Sequence, residues 1–325
     1  MSWRTRLTER LGLTLPILLA PMGGAAGGRL AAAVTTAGGL GLIGGGYGDA
    51  AWLDREFAAA GNTRVGGGFI TWSLARQPAL LDHMLAHAPA AVMLSFGDPA
   101  PFAPAIRAAG SPLICQVQTI AHTRAALAAG ADIIVAQGAE AGGHGATRAT
   151  LTLVPEIADL LAAESPHTIL VAAGGIADGR GMAAAMMLGA DGVMLGTSLW
   201  AAEECLIHPN HQQAALAADG DATLRVITPD IARGYDWPPE FTGRVLRTQF
   251  IDRWHGLEAE HRAAAPGLRS AYLAALAEGR SEEAGIFVGE AIGLLSTIQP
   301  AAAIISRLAA DAAALLRHRA SALLA

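Results

Sequence analysis

Residues 132–145, with the sequence DIIVAQGAEAGGHG, join a short apolar run to a glycine-rich turn and a histidine. The run 133–135 consists of β-branched residues, which predicts a buried strand. Each glycine fixed in an ordered loop costs about 1 kcal/mol relative to alanine, so glycines at 138, 142, 143 and 145 indicate close approach of the backbone to something flat or charged. His144 can exchange a proton near neutral pH. The stretch predicts a strand that ends at a reactive site; a solvated loop with a spectator histidine is the alternative.

The same order of features recurs between residues 16 and 200. Short apolar runs are followed by polar or glycine-rich turns and then by segments of helical composition, most of which end in glycine. The runs are residues 17–20, 40–43, 65–69, 91–96, 113–117, 133–137, 169–173 and 192–195. Eight alternating units predict an α/β fold closed into a TIM (β/α)8 barrel. An open doubly wound sheet is the alternative, but residues 22–25 lack the GxGxxG turn typical of it.

The pattern changes after residue 200. Residues 201–285 contain Tyr235, Trp237, Trp254 and several prolines in helical fragments, without strand-like runs. We therefore predict three parts: a barrel at 1–200, an α-helical subdomain after the eighth strand at 201–285, and terminal helices at 286–325 that pack back on the barrel.

Composition excludes several classes of protein. The 325 residues are 52% hydrophobic and 15% charged, with a formal net charge of −6, which argues against disorder and against a nucleic-acid partner. Two cysteines without a CxxC spacing indicate a reduced, cytoplasmic setting. The first ten residues do not resemble a secretion signal, and no apolar stretch reaches about 18 residues, so no membrane association is expected.

Polar side chains stand at the ends of two neighbouring runs. Gln116 and Gln118 share one face of the fifth run, and Gln137 ends the sixth. A buried amide without a partner costs about 1–3 kcal/mol, which favours a polar ligand at the barrel mouth. Interior glutamines bonded to neighbours or to water are the alternative.

Barrels commonly hold phosphate with the loops after strands seven and eight. Here those loops carry Gly174-Gly175, with Asp178 placed to cap the next helix, and Gly196-Thr197. Free backbone amides at a helix N-terminus can bind an anion without net positive charge. These loops therefore predict a phosphate site, with ordinary turns as the alternative.

One histidine pair has metal-like spacing. His83 and His87 stand four residues apart beside Asp82, but no third ligand is apparent in the sequence. A solvated helix face is the simpler reading, and no metal site is predicted.

Six motifs together resemble the nitronate monooxygenase family, formerly called 2-nitropropane dioxygenase and related to the flavin-dependent enoyl-ACP reductase II. They are APM at 20–22, AGGLG at 37–41, QGAEAGGH at 137–144, AGGIADGRG at 173–181, LGT at 195–197 and GEAIGLLSTIQPAAAII at 289–305. The EAGGH element is specific to this group among flavin barrels, whereas the separate GG and GT elements occur in many phosphate-binding barrels.

The resemblance implies a non-covalently bound FMN, with its phosphate on Gly175 and Gly196-Thr197. His144 would be the catalytic base or a hydrogen-bond donor. Flavin contacts would come from Ala20, Pro21, Met22, Gly68, Gln116, Gln137, Gly138, Gly142, Gly143, Gly174, Met194 and Leu195. A nitroalkane would lose its α-proton to His144, and oxidation of the nitronate by FMN and O2 would yield a carbonyl compound and nitrite. With a preformed nitronate such as propionate 3-nitronate, His144 would only bind the nitro oxygens.

Two positions depart from the family pattern. Many members carry asparagine where this chain has Gly68, and a glutamine common in the closing segment aligns with Glu290. Two other functions stay open: an NAD(P)H-dependent flavin reductase of the enoyl-ACP or quinone type, and a barrel that binds FMN or a sugar phosphate without turnover. The partners expected are a small-molecule substrate and O2, and a homodimer is compatible with the late helices although no motif argues for it.

Overall fold

Eight parallel strands form one sheet in the computed structural model, which describes residues 3–324. The strands are β1 Ile17–Leu19, β2 Leu42–Gly46, β3 Gly66–Ile70, β4 Val92–Ser95, β5 Leu113–Val117, β6 Ile133–Gln137, β8 Ile169–Ala173 and β9 Gly192–Leu195. Their order is β1-β9-β8-β6-β5-β4-β3-β2, and a parallel bridge between Leu18 and Leu40 brings the two ends of the sheet together. The predicted TIM barrel is confirmed.

Helices follow the strands, and many of them cover the outside of the barrel. They are α1 Arg6–Leu11, α2 Gly28–Thr36, α3 Ala50–Ala60, α4 Thr71–Leu74, α5 Ala79–Ala86, α6 Ala103–Ala108, α7 Ile120–Ala128, α8 Thr150–Glu164, α9 Gly179–Met187, α10 Thr197–Trp200, α11 Pro209–Leu216, α12 Thr228–Arg233, α13 Gln249–Trp254, α14 Glu258–Glu278 and α15 Ala301–Leu324. Short 3-10 turns lie at Gly220–Ala222, Ser281–Glu283 and Glu290–Leu294. Helix α5 begins directly after Pro78, because a proline, which lacks an amide hydrogen, is tolerated at a helix start but not in its interior.

Two apolar layers hold the barrel together. Side chains that point outward from the strands pack under the helices, and those that point inward fill the barrel, including Leu18, Met93 and Val135. Leu7 and Leu11 of α1 join the inner layer, next to residues at the amino ends of the strands. Helix α1 therefore closes the amino end of the barrel, and the carboxyl end is left for a binding site.

A second sheet lies over that carboxyl end. Strands β7 Gly143–Gly145, β10 Thr223–Val226 and β11 Thr242–Leu246 pair antiparallel in the order β10-β11-β7. The expectation that residues 201–285 are purely helical is wrong, because this segment contains β10 and β11. The two strands of this segment, β10 and β11, are short, and each carries an arginine, Arg225 or Arg244. The third strand, β7, comes from a distant part of the chain, so no local pattern predicts this sheet.

The final helix packs back on the barrel. Ile304, Ile305 and Leu308 of α15 are buried in the outer apolar layer, and α15 contacts α9 and α2. Within residues 3–324, no helix combines the length and hydropathy that a membrane span requires.

Candidate active site

A cavity of about 600 Å³ opens between the carboxyl ends of the strands and the second sheet. Its wall contains most of the residues that the sequence assigns to a site: Ala20, Pro21, Met22, Gln116, Gln137, Gly142, Gly143, His144, Gly174, Gly175, Met194, Gly196 and Thr197. These residues come from strands that are far apart in sequence but end at the same rim. The structure therefore brings the sequence motifs together in one place.

Three of the assigned residues do not line the cavity. A Cβ on Gly68 would lie 2.6 Å from Pro21 Cγ, so this glycine lets Pro21 pack down on the strand. A Cβ on Gly138 would lie 2.0 Å from Thr150 Oγ1, at the start of α8. Leu195 is fully buried in the outer apolar layer. All three support the wall from behind.

The three glutamines form one hydrogen-bonded group. Gln116 and Gln118 each donate to the side-chain oxygen of Gln137 at 2.9 Å, and Gln137 donates to the carbonyl of His144 at 2.9 Å. Gln137 therefore has protein partners, as in the alternative that the glutamines bond to neighbours, although Gln116 and Gln137 also line the cavity. Through its bond to the His144 carbonyl, Gln137 fixes the position of the β7 main chain at His144.

The glycine loops after β8 and β9 present backbone to the cavity. Gly174 and Gly175 have φ of 102° and 71°, a left-handed conformation that side chains rarely adopt. A Cβ on Gly196 would meet nothing nearer than Met22 Sδ at 3.8 Å, which is ordinary van der Waals contact, and the residue lines the cavity. The hydroxyl of Thr197 accepts from the Gly289 amide at 2.9 Å and keeps its own proton to donate. The arrangement suits an anionic group.

Helix termini contribute less to this anion site than the sequence suggested. Asp178 caps α9 as predicted, but its carboxylate takes the amides of Arg180 and Gly181. Helix α10 has only four residues. The groups that could bind an anion here are therefore the Gly174-Gly175 and Gly196-Thr197 backbone and the Thr197 hydroxyl.

His144 is held by a charged pair from α12. Its Nε2 lies 2.8 Å from Asp230 Oδ2, and Arg233 donates to Asp230 Oδ1 at 2.7 Å. The side chains of His144 and Asp230 are only 9% and 3% exposed. Since Asp230 and Arg233 are three residues apart on one helical face, the arginine balances the buried carboxylate while the carboxylate orients the imidazole.

Burial lowers the pKa of His144 below its ordinary value of 6.5, and the hydrogen bond and charge of Asp230 oppose this shift without cancelling it. The imidazole is therefore neutral near pH 7. A neutral ring that donates from Nε2 to Asp230 carries a free lone pair on Nδ1. This is the state of a histidine that can accept a proton.

Aromatic side chains cover the histidine. The Trp237 ring stacks on His144 at a centroid distance of 3.4 Å, and the Trp237 indole donates to the Tyr47 hydroxyl at 2.9 Å. Tyr47 stacks in turn on Tyr235 at 3.7 Å. Phe96 packs edge-on against Trp237 and has a φ of 64°, which costs about 1–3 kcal/mol in a residue other than glycine. These rings make one side of the cavity apolar and exclude water from His144.

Sequence reasoning missed Asp230, Arg233, Tyr47 and Phe96 as residues of the site. The cluster of aromatic residues at 235–237, directly after the helix of Asp230, was the available signal. It could not be connected to His144, because Asp230 is 86 positions away along the chain. Glu290, which stands where many family members carry glutamine, forms an ion pair with Arg244 of β11 at 2.8 Å.

A family model described as "Nitronate monooxygenase" matches residues 4–63 and 72–311. The chain belongs to the nitronate monooxygenase family. It is therefore an enzyme, an oxidoreductase, and the resemblance inferred from the motifs is confirmed. A nitronate monooxygenase of Neurospora crassa is 32% identical in an alignment that covers 91% of this chain and 88% of the relative.

Solved structures of similar proteins agree with this family fold. FabK from Thermotoga maritima superposes with a TM-score of 0.86 at 29% identity, covering 99% of this chain and 100% of the other. A nitroalkane oxidase from Streptomyces ansochromogenes superposes with a TM-score of 0.76 at 27% identity, covering 96% of this chain and 98% of the other. The fold thus accommodates both a nitroalkane oxidase and FabK.

Proposed function

We propose that this enzyme is an FMN-dependent nitronate monooxygenase, with His144 as its catalytic residue and Asp230 as the residue that positions it. The observation that carries the proposal is the buried His144–Asp230 pair on the cavity wall, with a neutral imidazole beside an apolar space. A chain of the nitronate monooxygenase family with this pair has the parts needed to remove a proton from a nitroalkane carbon.

The donor groups that line the cavity support FMN as the cofactor. The phosphate would be held by the cavity-lining backbone of Gly196, the left-handed Gly174-Gly175 turn and the Thr197 hydroxyl. The main chain of residues 20–22 and the side chain of Gln116 would lie against the ring system. Bound FMN would supply the electron transfer that converts a nitronate and O2 to a carbonyl compound and nitrite.

His144 would act at its Nδ1 atom. Because Nε2 is engaged by Asp230, Nδ1 is the nitrogen that can accept the α-proton of a nitroalkane. Asp230 would then stabilise the imidazolium that forms, while Arg233 keeps the carboxylate from being an uncompensated buried charge. With a substrate that is already a nitronate, no proton is removed; the negative charge of the bound nitronate would favour protonation of Nδ1, which would then donate a hydrogen bond to a nitro oxygen.

The aromatic side of the cavity would bind the alkyl part of the substrate. Trp237, Phe96 and Phe287 line the cavity near His144 and offer no charged group to a ligand. Apolar rings that exclude water strengthen the electrostatic contacts of the imidazole. The rings therefore favour nitro compounds with a small carbon chain.

The test is anaerobic mixing of the FMN-loaded enzyme with propionate 3-nitronate and, separately, with NADH. We expect loss of the oxidised flavin absorbance near neutral pH with the nitronate and a much slower change with NADH. Readmission of O2 to the nitronate mixture should restore the absorbance and release nitrite. Fast bleaching by NADH with no response to nitronate would overturn the proposal.

A second candidate is an NAD(P)H-dependent flavin reductase of the enoyl-ACP type. The extent of the superposition on FabK, with a TM-score of 0.86 over nearly all of both chains, favours it. In that reaction His144 would donate a proton to the reduced substrate rather than accept one. The same anaerobic experiment separates the two functions, because only the reductase requires rapid reduction by NAD(P)H.

A further inference from the structure

A cluster of two histidines and an aspartate lies on the outer surface of the barrel, away from the cavity. His83 lies on α5, His87 caps the carboxyl end of that helix one turn later, and Asp54 reaches both from α3. Asp54 Oδ1 lies 2.9 Å from His83 Nε2 and 2.8 Å from His87 Nε2. The sequence shows the histidine pair but no third ligand, and the packing of α3 beside α5 supplies it.

We propose that Asp54, His83 and His87 form a binding site for a divalent transition-metal ion, Zn²⁺ by its donor set. One ligand atom from each residue lies within 4.8 Å of the others. Two imidazole nitrogens and one carboxylate oxygen are ligands that Zn²⁺ takes in a tetrahedral site with one position open to water. Two neutral imidazoles and a carboxylate carry one net negative charge, which suits a divalent cation.

The nitrogen–oxygen distances require only a small adjustment to bind the ion. Ligand atoms about 2.0–2.1 Å from a tetrahedral Zn²⁺ are separated from one another by about 3.3 Å. The nitrogen–oxygen distances of 2.8 and 2.9 Å must therefore widen by roughly half an ångström. The side chains of Asp54, His83 and His87 are 55%, 35% and 29% exposed, so they can rotate without disturbing the core.

One of the ligands is already oriented. Phe57, one turn after Asp54 on α3, stacks on His87 with a centroid distance of 4.5 Å and an interplanar angle of 2°. A packed ring loses less freedom when it binds an ion, as in metal sites where neighbouring groups fix the ligand histidine. The His83 ring lies edge-on to His87 at 5.7 Å and completes the same face.

An ion at this position would join α3 to α5, the helices that precede and follow β3. None of the three ligands lines the cavity. The site would therefore stabilise the fold without taking part in turnover, since an ion that binds only the folded chain raises its stability. This inference does not depend on the proposed reaction.

The test uses the untagged full-length protein, freed of metal by a chelator and titrated with Zn²⁺ against a chromophoric competitor. We expect one ion per chain and a rise in the melting temperature. Asp54→Asn and His83→Gln should each weaken the affinity at least tenfold and abolish the rise in melting temperature. Nitronate turnover of the FMN-loaded variants should match that of the unsubstituted enzyme.

Two control variants assign the site. His255→Gln removes an exposed histidine that faces a single glutamate, Glu258, and should leave Zn²⁺ binding unchanged. His144→Gln should also leave it unchanged, which separates the surface cluster from the cavity. Absence of Zn²⁺ binding, or equal affinity in Asp54→Asn, His83→Gln and the unsubstituted protein, would overturn the proposal.

Discussion

The two sides of the cavity are built in different ways. The barrel side consists of strand ends, where backbone at Gly174, Gly175 and Gly196 faces the space and glutamines bond to one another. The cap side consists of residues 228–241, where Asp230, Arg233 and Trp237 act through their side chains. Backbone contacts suit a ligand that does not change, whereas side chains can be exchanged to suit different substrates. We infer that the barrel side serves the cofactor and the cap side serves the chemistry of the substrate.

The largest effect is expected where the two sides meet. His144→Gln removes the proton acceptor and should lower turnover of a nitroalkane by about 10²–10⁴-fold, the usual contribution of a general base. Turnover of propionate 3-nitronate should fall much less, because that substrate has already lost its proton. Nitrite release with both substrates is the measurement.

His167→Gln is the matched control, since His167 is an exposed histidine outside the cavity wall. FMN affinity should be the same in both variants. Equal losses with the nitroalkane and the nitronate in His144→Gln would show that His144 is a binding group and not a base.

Asp230→Asn tests the cap side alone and should lower nitroalkane turnover by about 100-fold, within the range of general-base effects. The asparagine side chain at position 230 no longer favours the His144 tautomer that leaves Nδ1 free. The pKa of His144 is below 6.5 and activity falls as pH drops through it. Since Asp230 raises that pKa, its loss should move the acid limb of the pH–rate profile to still lower pH. Asp230→Glu keeps the charge and should restore part of the rate. An acid limb that does not shift in Asp230→Asn would contradict the influence of Asp230 on the His144 pKa.

Gly196→Ala tests the barrel side alone. The added methyl group meets no protein atom nearer than 3.8 Å, so the fold should tolerate it, but it would occupy space proposed for the phosphate. We expect the dissociation constant of FMN to rise about tenfold, equivalent to 1.4 kcal/mol, with turnover at saturating FMN little changed. Fluorescence titration with FMN measures this. Gly267→Ala, on the outside of α14 with no atom within 4 Å, should leave the affinity unaltered.

The smallest effect is expected from Trp237→Ala. Removal of the stacked ring exposes His144 to water, which lessens the burial that lowers its pKa. The acid limb should therefore move to higher pH, by about one unit given the usual spread of histidine pKa values in proteins. This is the direction opposite to Asp230→Asn. A pH–rate profile identical to that of the unsubstituted enzyme would contradict a role of Trp237 in shielding the base.

The difference between the barrel side and the cap side explains which parts of the site could be predicted from the sequence. Strand runs, the glycines that follow them and His144 form local patterns, and the barrel side follows from them. The cap side depends on contacts between distant positions: Tyr47 and Trp237 are 190 residues apart, and Asp230 is 86 from His144. No periodicity in the sequence indicates that residues so far apart along the chain are in contact. Even on the barrel side, the hydrogen bonds that join the glutamines to each other could not be predicted, because Gln116 and Gln137 lie on different strands.

Strand β7 belongs to both sides at once. It follows β6 of the barrel, its His144 carbonyl is held by Gln137, and its residues pair with β11 of the cap sheet. A shift of the cap sheet would therefore carry the imidazole with it. Insertions or deletions in the loops of residues 223–246 would alter proton-transfer geometry as well as the volume for substrate, so this architecture links the evolution of selectivity to that of rate.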